Sequence, residues 1–377
     1  MNLQVYGALF TEPNPPARVT IACGDLMPKD TNILIHLTIQ IPSPSSLPRK
    51  ALHVQSRSYW APANIGPYSQ AISIPLSVSD EQDPQPWMVS VAGQIPLIPH
   101  TMSLPLSENI NKTSNTSEFD VQNFTLQTVL SLQHLWRIGQ EMNVQWWTSG
   151  VAYLPRSSLK ASAEKAAIVS RAWALVHVRD IEDEDSGGEE ARDLWEEKYY
   201  AGMEVRGAEK VEKILPDWDV VEYGAETAMA PPFWVVEVEE LPRGSAVEWH
   251  AQLGVVGGRV KVRRSGFGIA DADDPQLRSS TGEKGWSVHQ CLFGGTAQSV
   301  VMIEYSTEIS ELLSRLEEAL AVLGTGVEVR ESIHNSYLDV SIHGMLEEGG
   351  LGGNIPCKSI WAVSGNRLAA VLVLDGR

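Results

Sequence analysis

The sequence APANIGPYSQ occupies residues 61–70, and WMVSVAGQIPLIPH occupies residues 87–100. Gly66-Pro67 in the first stretch is a strong turn signal. It stands just ahead of Ala71–Ile74, an alternating segment that predicts a strand. Met88–Ala92 in the second stretch predicts another strand, which ends in a Gly-Gln pair and a proline-rich turn. Together the two stretches predict a pair of strands joined by a hairpin.

Two motifs occur in order: first G-P-Y-S-Q-A, and then a small residue followed by G-Q-I-P-L. Together they resemble the start of a Rid-type unit. The Rid family comprises small α/β proteins known as enamine and imine deaminases, which usually form trimers with ligand clefts between subunits. Residues 6–10 (YGALF) and 15–19 (PPARV) resemble the end of such a unit, where an aromatic pair on the second helix precedes P-P-A-R and a closing strand. The resemblance implies that the chain opens inside one unit and begins another at Trp60.

The same ending occurs twice more, at residues 231–244 (PPFWVVEVEELPRG) and 355–363 (IPCKSIWAV). Three endings and one clear start indicate an irregular internal repeat. The resemblance therefore implies an α/β (α+β) fold of tandem Rid-like, chorismate-mutase-like units, each a mixed sheet packed on two helices. The predicted organisation is a carboxyl-terminal remnant of a first unit (1–41), a linker (42–57), a complete unit with an acidic insertion (58–256) and a degenerate unit (257–377).

Apolar periodicity predicts the remaining elements. The helices are expected at Phe124–Gln140, Ser162–Ala174, Leu194–Val205 and Glu308–Leu323. Further strands are expected at Val19–Cys23, Asn32–Ile41, Trp146–Leu154, Val247–Leu253, Ser287–Phe293, Val300–Tyr305, Val327–Ile333 and Leu368–Leu374. The acidic run 181–190 predicts a solvated loop, with docking of a basic partner as the alternative.

The tandem arrangement, with WAPANIGPYSQ opening the second copy, looks like the carboxyl-terminal region of eukaryotic diphthine–ammonia ligases. That family joins an ATP-pyrophosphatase-type domain to Rid-like units and makes the final amide of diphthamide on translation elongation factor 2. Neither an S-G-G-K-D-S-type phosphate loop nor G-x-x-x-x-G-K-[ST] occurs in the 377 residues. The resemblance thus implies no cofactor in this chain, with ATP expected only in the missing domain, and leaves open whether the chain alone is an enzyme.

The resemblance also implies where a site would lie. In catalytic Rid proteins the arginine of P-A-R binds the substrate carboxylate, a role that suits a rigid guanidinium. The prolines of the three endings align this position with Arg18, Trp234 and Lys358. The family serine before G-Q is replaced by Ala92, whereas the tyrosine and the last-strand glutamate are retained. The candidate catalytic residues are therefore Arg18, Tyr68 and Glu248, although the unit of Arg18 has lost the start that would supply the other half of a cleft.

Each candidate also has a purely structural interpretation. Tyr68 and Gln94 stand beside turns and could satisfy backbone groups. Arg18 could pair with an acid of a neighbouring unit. Strand alternation would place Glu248 on the solvent face. Two functions remain: a non-catalytic or substrate-presenting module of the ligase, and a stand-alone 2-iminoacid or enamine deaminase.

Composition limits the classes of partner that the chain is expected to have. The net charge of −18 opposes binding to nucleic acid. Three widely spaced cysteines predict neither a disulfide framework nor a zinc site, and the histidine spacing predicts no metal site. Since no signal peptide or bilayer-spanning apolar run occurs, we expect a cytoplasmic chain without a membrane partner. The expected partners are other Rid-like units, within or between chains, and translation elongation factor 2.

The repeat predicts an architecture as well. A Rid unit covers one sheet face with helices and the other in a three-fold assembly. We expect copies two and three to pack through their sheets as part of an open pseudo-trimer. Residues 1–41, with the apolar side chains of Ile33, Ile35, Leu37 and Ile39, are then the least well held segment.

Overall fold

The structure, a computed structural model, describes residues 7–10, 13–39, 47–76, 85–105, 120–179, 214–223, 230–266, 285–323, 333–342 and 354–376. The three longer helices within these ranges are α1 (Val121–Glu141), α2 (Leu159–Leu175) and α3 (Ile309–Val322). The strands are β1 (Lys50–Leu52), β2 (Ala71–Pro75), β3 (Trp87–Val91), β4 (Trp146–Trp147), β5 (Gly150–Pro155), β6 (Val221–Tyr223), β7 (Phe233–Val238), β8 (Glu248–Ala251), β9 (Gly254–Val256), β10 (Val260–Ser265), β11 (Trp286–Phe293), β12 (Thr296–Glu304), β13 (Ile333–Asp339), β14 (Asn354–Cys357), β15 (Ser359–Ala362) and β16 (Arg367–Gly376).

Between residues 58 and 256 the strands form a mixed sheet covered by α1 and α2. β2 pairs antiparallel with β3, β3 with β9, and β8 with β5, while β5 runs parallel to β7. β8 and β9 are successive parts of one extended stretch, which therefore has neighbours on both sides. Both helices begin at a polar cap, where the side chain of Asp120 accepts from Asn123 N and that of Ser158 from Ala161 N. A core that includes Trp147, Trp173 and Trp249 lies between sheet and helices.

Between residues 286 and 376 the strands follow the same sequence of pairings. β11 is antiparallel to β12, β12 to β16, and β16 to β13, while β13 runs parallel to β14. α3 covers one face of this sheet through a core that contains Leu312 and Ala319. In the described part of 257–377 it is the only helix longer than one turn. The expected second helix is therefore not among the described residues of this section.

The two sheets pack on each other through the faces that the helices leave open. Val151, Tyr153 and Trp234 from the first sheet share a buried cluster with Tyr337 and Val373 from the second. At the edge, β7 pairs antiparallel with β15, so β8, β5 and β7 continue through β15 and β16 into one eleven-stranded hydrogen-bonded sheet. The strands β1, β2, β3, β9 and β4 form a separate five-stranded sheet. Residues 58–256 and 286–376 thus pack against each other through these faces. The apolar side chains of this contact are fully withdrawn from water on both sides, so each half depends on the other for its core.

A buried carboxylate ties this junction to α2. Glu237 of β7 is 2% exposed, and its Oε1 accepts from the hydroxyl of Ser162 at 2.7 Å. Its Oε2 accepts from the hydroxyl of Ser359 in β15 at 2.8 Å. The backbone N–H of Ser157 also donates to Oε1. The charge is therefore satisfied by hydrogen bonds from three different elements.

The amino-terminal segment differs from the expectation. The strands predicted at Val19–Cys23 and Asn32–Ile41 are not formed in the described residues, which end at residue 39 here. Instead Ala17 makes an isolated parallel bridge with Ser69, and Ala22 an antiparallel one with Glu240. A strand needs a continuous ladder for its backbone groups, whereas the described residues of this segment make only scattered backbone contacts with neighbouring strands.

The other bounds agree closely, with α1, α2 and α3 each within three residues of prediction at both ends. The strand expected at Val327–Ile333 lies outside the described residues except for Ile333, which begins β13, a strand over Ile333–Asp339 that was not predicted. β1 forms inside the predicted linker. The acidic run 181–190 and the helix expected at Leu194–Val205 lie outside the described residues. None of the described helices is both long and apolar enough to cross a membrane.

Trp234 at the centre of the sheet-to-sheet contact gives a test of this packing. Replacing Trp234 by Ala should lower the free energy of unfolding by about 3–5 kcal/mol, because it leaves a large cavity. Val129→Ala on the exposed side of α1, where the side chain is 54% exposed, should change it by less than about 0.5 kcal/mol. Urea unfolding of both variants measures the difference. Equal losses would show that the two sheets do not share a tightly packed core.

Candidate functional site

The segment that carries Arg18 lies across the ends of β2 and β3. The N–H of Ser69 donates to the carbonyl of Pro16 at 3.2 Å, and the N–H of Gly93 donates to the carbonyl of Arg18 at 3.2 Å. Arg18 is therefore held by its own backbone against the complete unit. The expectation that it lacks the other half of a cleft is wrong, since residues 68–93 and Glu248 supply that half.

Arg18 lies beside the aromatic ring of Tyr68. The guanidinium carbon is 5.1 Å from the ring centroid, which is within the range of a cation–π contact. Burial raises the pKa of the Tyr68 hydroxyl, and a hydrogen bond with the backbone of Ile65 and the charge of Arg18 oppose the rise. Tyr68 is therefore neutral at physiological pH, and its ring holds the planar guanidinium in position.

Glu248 lies near both Arg18 and Tyr68. Its side chain is buried, with 3% of its surface exposed. It belongs to β8, and its carboxyl group occupies the space above Gly93. A Cβ at residue 93 would stand 1.8 Å from Oε1 of Glu248, so no other residue fits there without moving the carboxyl group. The interpretation that strand alternation puts Glu248 on the solvent face is wrong, because its side chain is buried against Gly93 and close to Arg18.

The environment of Glu248 favours its neutral form. Burial raises its pKa from 4.5 to about 8, and the charge of Arg18 opposes this rise. Its Oε2 is buried and has no hydrogen-bond partner among the described residues. Such a carboxyl group carries a proton at neutral pH and can donate one hydrogen bond.

We name the group Arg18, Tyr68, Gly93 and Glu248 the Arg18 cleft. It contains all three residues that the sequence analysis selected, and it presents a cation next to a protonated acid. Ala92 at the serine position is fully buried and offers no hydroxyl. The charge of this group suits an anion, whereas the hydroxyl of the family pattern is absent.

The other two aligned positions have different surroundings. Trp234 is fully buried, 5.4 Å from Tyr337 between ring centroids, and fills the contact between the sheets. Lys358 donates its backbone N–H to the carbonyl of Glu237 at 2.7 Å. Neither side chain approaches the Arg18 cleft in a described contact, so only the first of the three aligned positions carries a guanidinium at a site.

The sequence analysis missed the residues that hold the Arg18 segment. Nε2 of His53 lies 3.0 Å from Oδ1 of Asn14, and Arg49 donates to the carbonyl of Asn14 at 2.9 Å. His53 Nε2 is also 3.3 Å from the hydroxyl of Ser69. Both basic residues come from the predicted linker, where short irregular sequence gives no periodic signal.

The described residues give little support for metal binding or for a reactive thiol. They contain no group of three or more His, Cys, Asp or Glu side chains that could hold a metal ion. The three cysteines are free and buried. Burial raises the pKa of Cys23 to about 11, and it raises those of Cys291 and Cys357 as well. These thiols are therefore protonated and behave as small apolar side chains.

Comparison with curated proteins gives relatives of one kind. They are diphthine–ammonia ligases. The protein from Schizosaccharomyces pombe is 33% identical over 150 residues, which are 40% of this chain and 20% of the relative. The one from Saccharomyces cerevisiae is 25% identical over 256 residues, which are 66% of this chain and 27% of the relative. The chain thus spans about a fifth to a quarter of the length of these relatives.

Other comparisons add less. No protein-family model matches the chain. Among solved structures, a protein described as a translation initiation inhibitor from Vibrio vulnificus CMCP6 is 17% identical and has a TM-score of 0.27. The match covers 55% of this chain and 98% of that one. A TM-score this low carries no argument about the fold.

The raised pKa of Glu248 predicts how stability depends on pH. Because the folded chain keeps a proton that the unfolded chain loses above pH 4.5, the stability from this group is present at low pH and is lost as pH rises through about 8. Glu248→Gln cannot ionise. Relative to the parent, we expect it to gain about 4 kcal/mol of stability between pH 5 and pH 9.

Chemical unfolding at both pH values measures this difference. Glu164→Gln on α2, where the side chain is 50% exposed, is the matched control and should show no such dependence. If Glu248→Gln behaves as Glu164→Gln does, Glu248 is ionised and solvated, and the cleft does not contain a neutral acid.

Proposed function

We propose that this chain is a Rid-like, substrate-presenting module of a diphthine–ammonia ligase, and that the Arg18 cleft binds a carboxylate without turning it over. The observation that carries the proposal is the approach of Arg18 to Tyr68 and Glu248. Arg18 reaches these residues from a segment more than forty residues earlier in the sequence.

The proposed link to diphthine–ammonia ligases rests on sequence similarity. Relatives in two yeasts are diphthine–ammonia ligases, although the chain matches only part of each. The Rid-like part is supported by the sequence motifs and by the equal order of strand pairings in the two halves. Tandem units of one fold explain why β2-β3-β9/β8-β5-β7 and β11-β12-β16-β13-β14 have the same directions.

The chemistry of the cleft suits a carboxylate. A guanidinium offers several N–H donors in a fixed plane, and carboxylates accept two of them side by side. The protonated Glu248 adds an O–H donor where an ionised one would repel the ligand. The ligase reaction converts a carboxyl group of diphthine into an amide, so a module that holds such a group would present the substrate.

Two features make the module non-catalytic in this proposal. Ala92 removes the hydroxyl of the family pattern, and Trp234 closes the aligned position in the second copy by packing against Tyr337. What remains binds and orients a ligand. The ATP-dependent step belongs to the ATP-binding domain of the family, for which these 377 residues contain no phosphate-loop motif.

The alternative is a 2-iminoacid or enamine deaminase. The observation in its favour is again the Arg18 cleft, because a guanidinium and an acid with a pKa near neutrality can bind an imino acid and donate a proton to it. The two functions differ in turnover, so binding and catalysis must be measured separately.

Binding can be tested with a stable small carboxylate. We expect 2-oxobutyrate to bind the chain and to bind Arg18→Ala about 10- to 100-fold more weakly, because one charge-assisted pair is lost. Arg18→Lys should recover part of the affinity. Titration by calorimetry or NMR gives the constants. Arg259→Ala, which removes an exposed arginine that pairs with Glu222, should leave them unchanged. Equal affinities for parent and Arg18→Ala would contradict the site.

Turnover can be tested with an imino acid made in solution. We expect no acceleration of 2-iminobutyrate decay by the chain, because the hydroxyl that the family pattern places at position 92 is absent. The rate of product formation with and without the chain measures this. An acceleration that disappears in Arg18→Ala would establish the deaminase alternative, while an unchanged rate together with 2-oxobutyrate binding supports presentation alone.

A further inference from the structure

His250 lies beside Glu248 on the strand that carries the acid of the Arg18 cleft. Only Trp249 separates the two residues on β8, so their side chains leave the strand on the same face, about 7 Å apart along it. Their partners in β5, Tyr153 and Val151, belong to one buried cluster, which agrees with a shared face. The imidazole of His250 is therefore the next side chain along this face after the carboxyl group of Glu248.

A hydrogen bond fixes the orientation of the His250 ring. Its Nδ1 lies 3.1 Å from the carbonyl oxygen of Val91 at the end of β3. A carbonyl oxygen only accepts, so Nδ1 carries the proton and donates it. Val91 stands two residues before Gly93, whose N–H donates to the carbonyl of Arg18 at 3.2 Å. The same short stretch of chain therefore holds both Arg18 and His250.

The other ring nitrogen of His250, Nε2, is a hydrogen-bond acceptor. Burial, together with the charge of His334, lowers the pKa of His250 to about 4. The ring is therefore neutral at physiological pH, and with its proton on Nδ1 it has a lone pair on Nε2. Within the described residues Nε2 has no hydrogen-bond partner, and the side chain is only partly buried. This lone pair is thus open to a donor that belongs to a ligand.

The cleft then contains donors at one end and an acceptor at the other. Arg18 and the protonated Glu248 donate, whereas Nε2 of His250 accepts. A carboxylate offers only acceptor oxygens, so one that reaches both ends places an oxygen against the lone pair of His250. A primary carboxamide offers an acceptor oxygen and an N–H donor, which matches both ends.

The length of a carboxamide also suits this pair of side chains. Its oxygen and nitrogen are about 2.2 Å apart, as its bond lengths require. With one hydrogen bond of ordinary length at each end, the path from Glu248 to His250 is about 8 Å when fully extended. This length is close to the spacing of two side chains on one face of a strand. A single amide group can therefore bridge Glu248 and His250.

We propose that the Arg18 cleft also binds a primary carboxamide, which accepts from Glu248 and Arg18 through its oxygen and donates to Nε2 of His250 through its nitrogen. This inference rests on the proposed function, in which the cleft holds a carboxyl group that is converted into an amide. It adds that the cleft retains the group after amidation, because His250 gains a partner that the carboxylate does not supply. His250 is thus a specificity-determining residue of the cleft.

Two ligands that differ in one group test the proposal. We expect the chain to bind both 2-oxobutyrate and 2-oxobutyramide. His250→Phe removes the acceptor and should weaken binding of 2-oxobutyramide about five- to tenfold, with less than about a twofold change for 2-oxobutyrate. His250→Gln, which returns an acceptor oxygen, should recover part of the loss. Titration by NMR at pH 7 gives the dissociation constants.

The matched control is His100→Phe. His100 is exposed and stacks on Tyr59, with 5.0 Å between ring centroids. This variant should leave both dissociation constants unchanged. 2-Oxobutyrate is an internal control for folding, because a variant that has lost the cleft loses both ligands.

Four outcomes would overturn the inference. Equal weakening of both ligands in His250→Phe would mean that His250 only supports the cleft through its bond to Val91. An unchanged affinity of that variant for 2-oxobutyramide would mean that the amide nitrogen does not reach His250. Binding of 2-oxobutyrate that is lost in Arg18→Ala, without any binding of 2-oxobutyramide, would leave the carboxylate site in place and exclude the amide. Failure of the parent to bind either ligand would contradict the proposed function together with this inference.

Discussion

Burial of the second face of each sheet is the constraint on which this structure depends. Helices cover one face of each sheet, and the other would be open to water if the halves were separate. The pairing of β7 with β15, which sets Val236 opposite Ile360, and the cluster around Trp234 and Tyr337 close both faces at once. Residues 58–256 and 286–376 therefore share one core, because residues of both contribute to the same buried cluster.

The candidate site lies on strands of the same assembly. β8 carries Glu248, and burial of its carboxyl group raises its pKa. The amino-terminal segment then brings Arg18 to it across Ser69 and Gly93. At the next aligned position Trp234 fills the contact between the sheets. The same assembly of strands thus carries polar side chains at the Arg18 cleft and buried apolar side chains around Trp234.

The sequence predicts the parts of this molecule that depend on local pattern. The apolar stripes that predict α1, α2 and α3 are local patterns, and so are the strand signals around Gly66-Pro67. Both kinds of pattern predict elements that the structure contains. The burial of Glu248 is not local, since its neighbours Arg18 and Gly93 are distant from it in the sequence. The same holds for residues 32–39, where alternation predicts a strand but the ladder that would complete it is not in the described chain. The cleft residues themselves were selected through a family resemblance, and their assembly required the contact between distant segments.

The hydroxyl-bound carboxylate of Glu237 has a consequence for how the halves find each other. Strand side chains alternate between faces, and Ser359 of β15 stands directly opposite Glu237. A slip of one residue in this pairing would turn Ser359 to the other face, and Oε2 of Glu237 would lose the hydroxyl that donates to it. Leaving a buried polar atom without a partner is unfavourable, so the carboxyl group of Glu237 favours one register between the two halves.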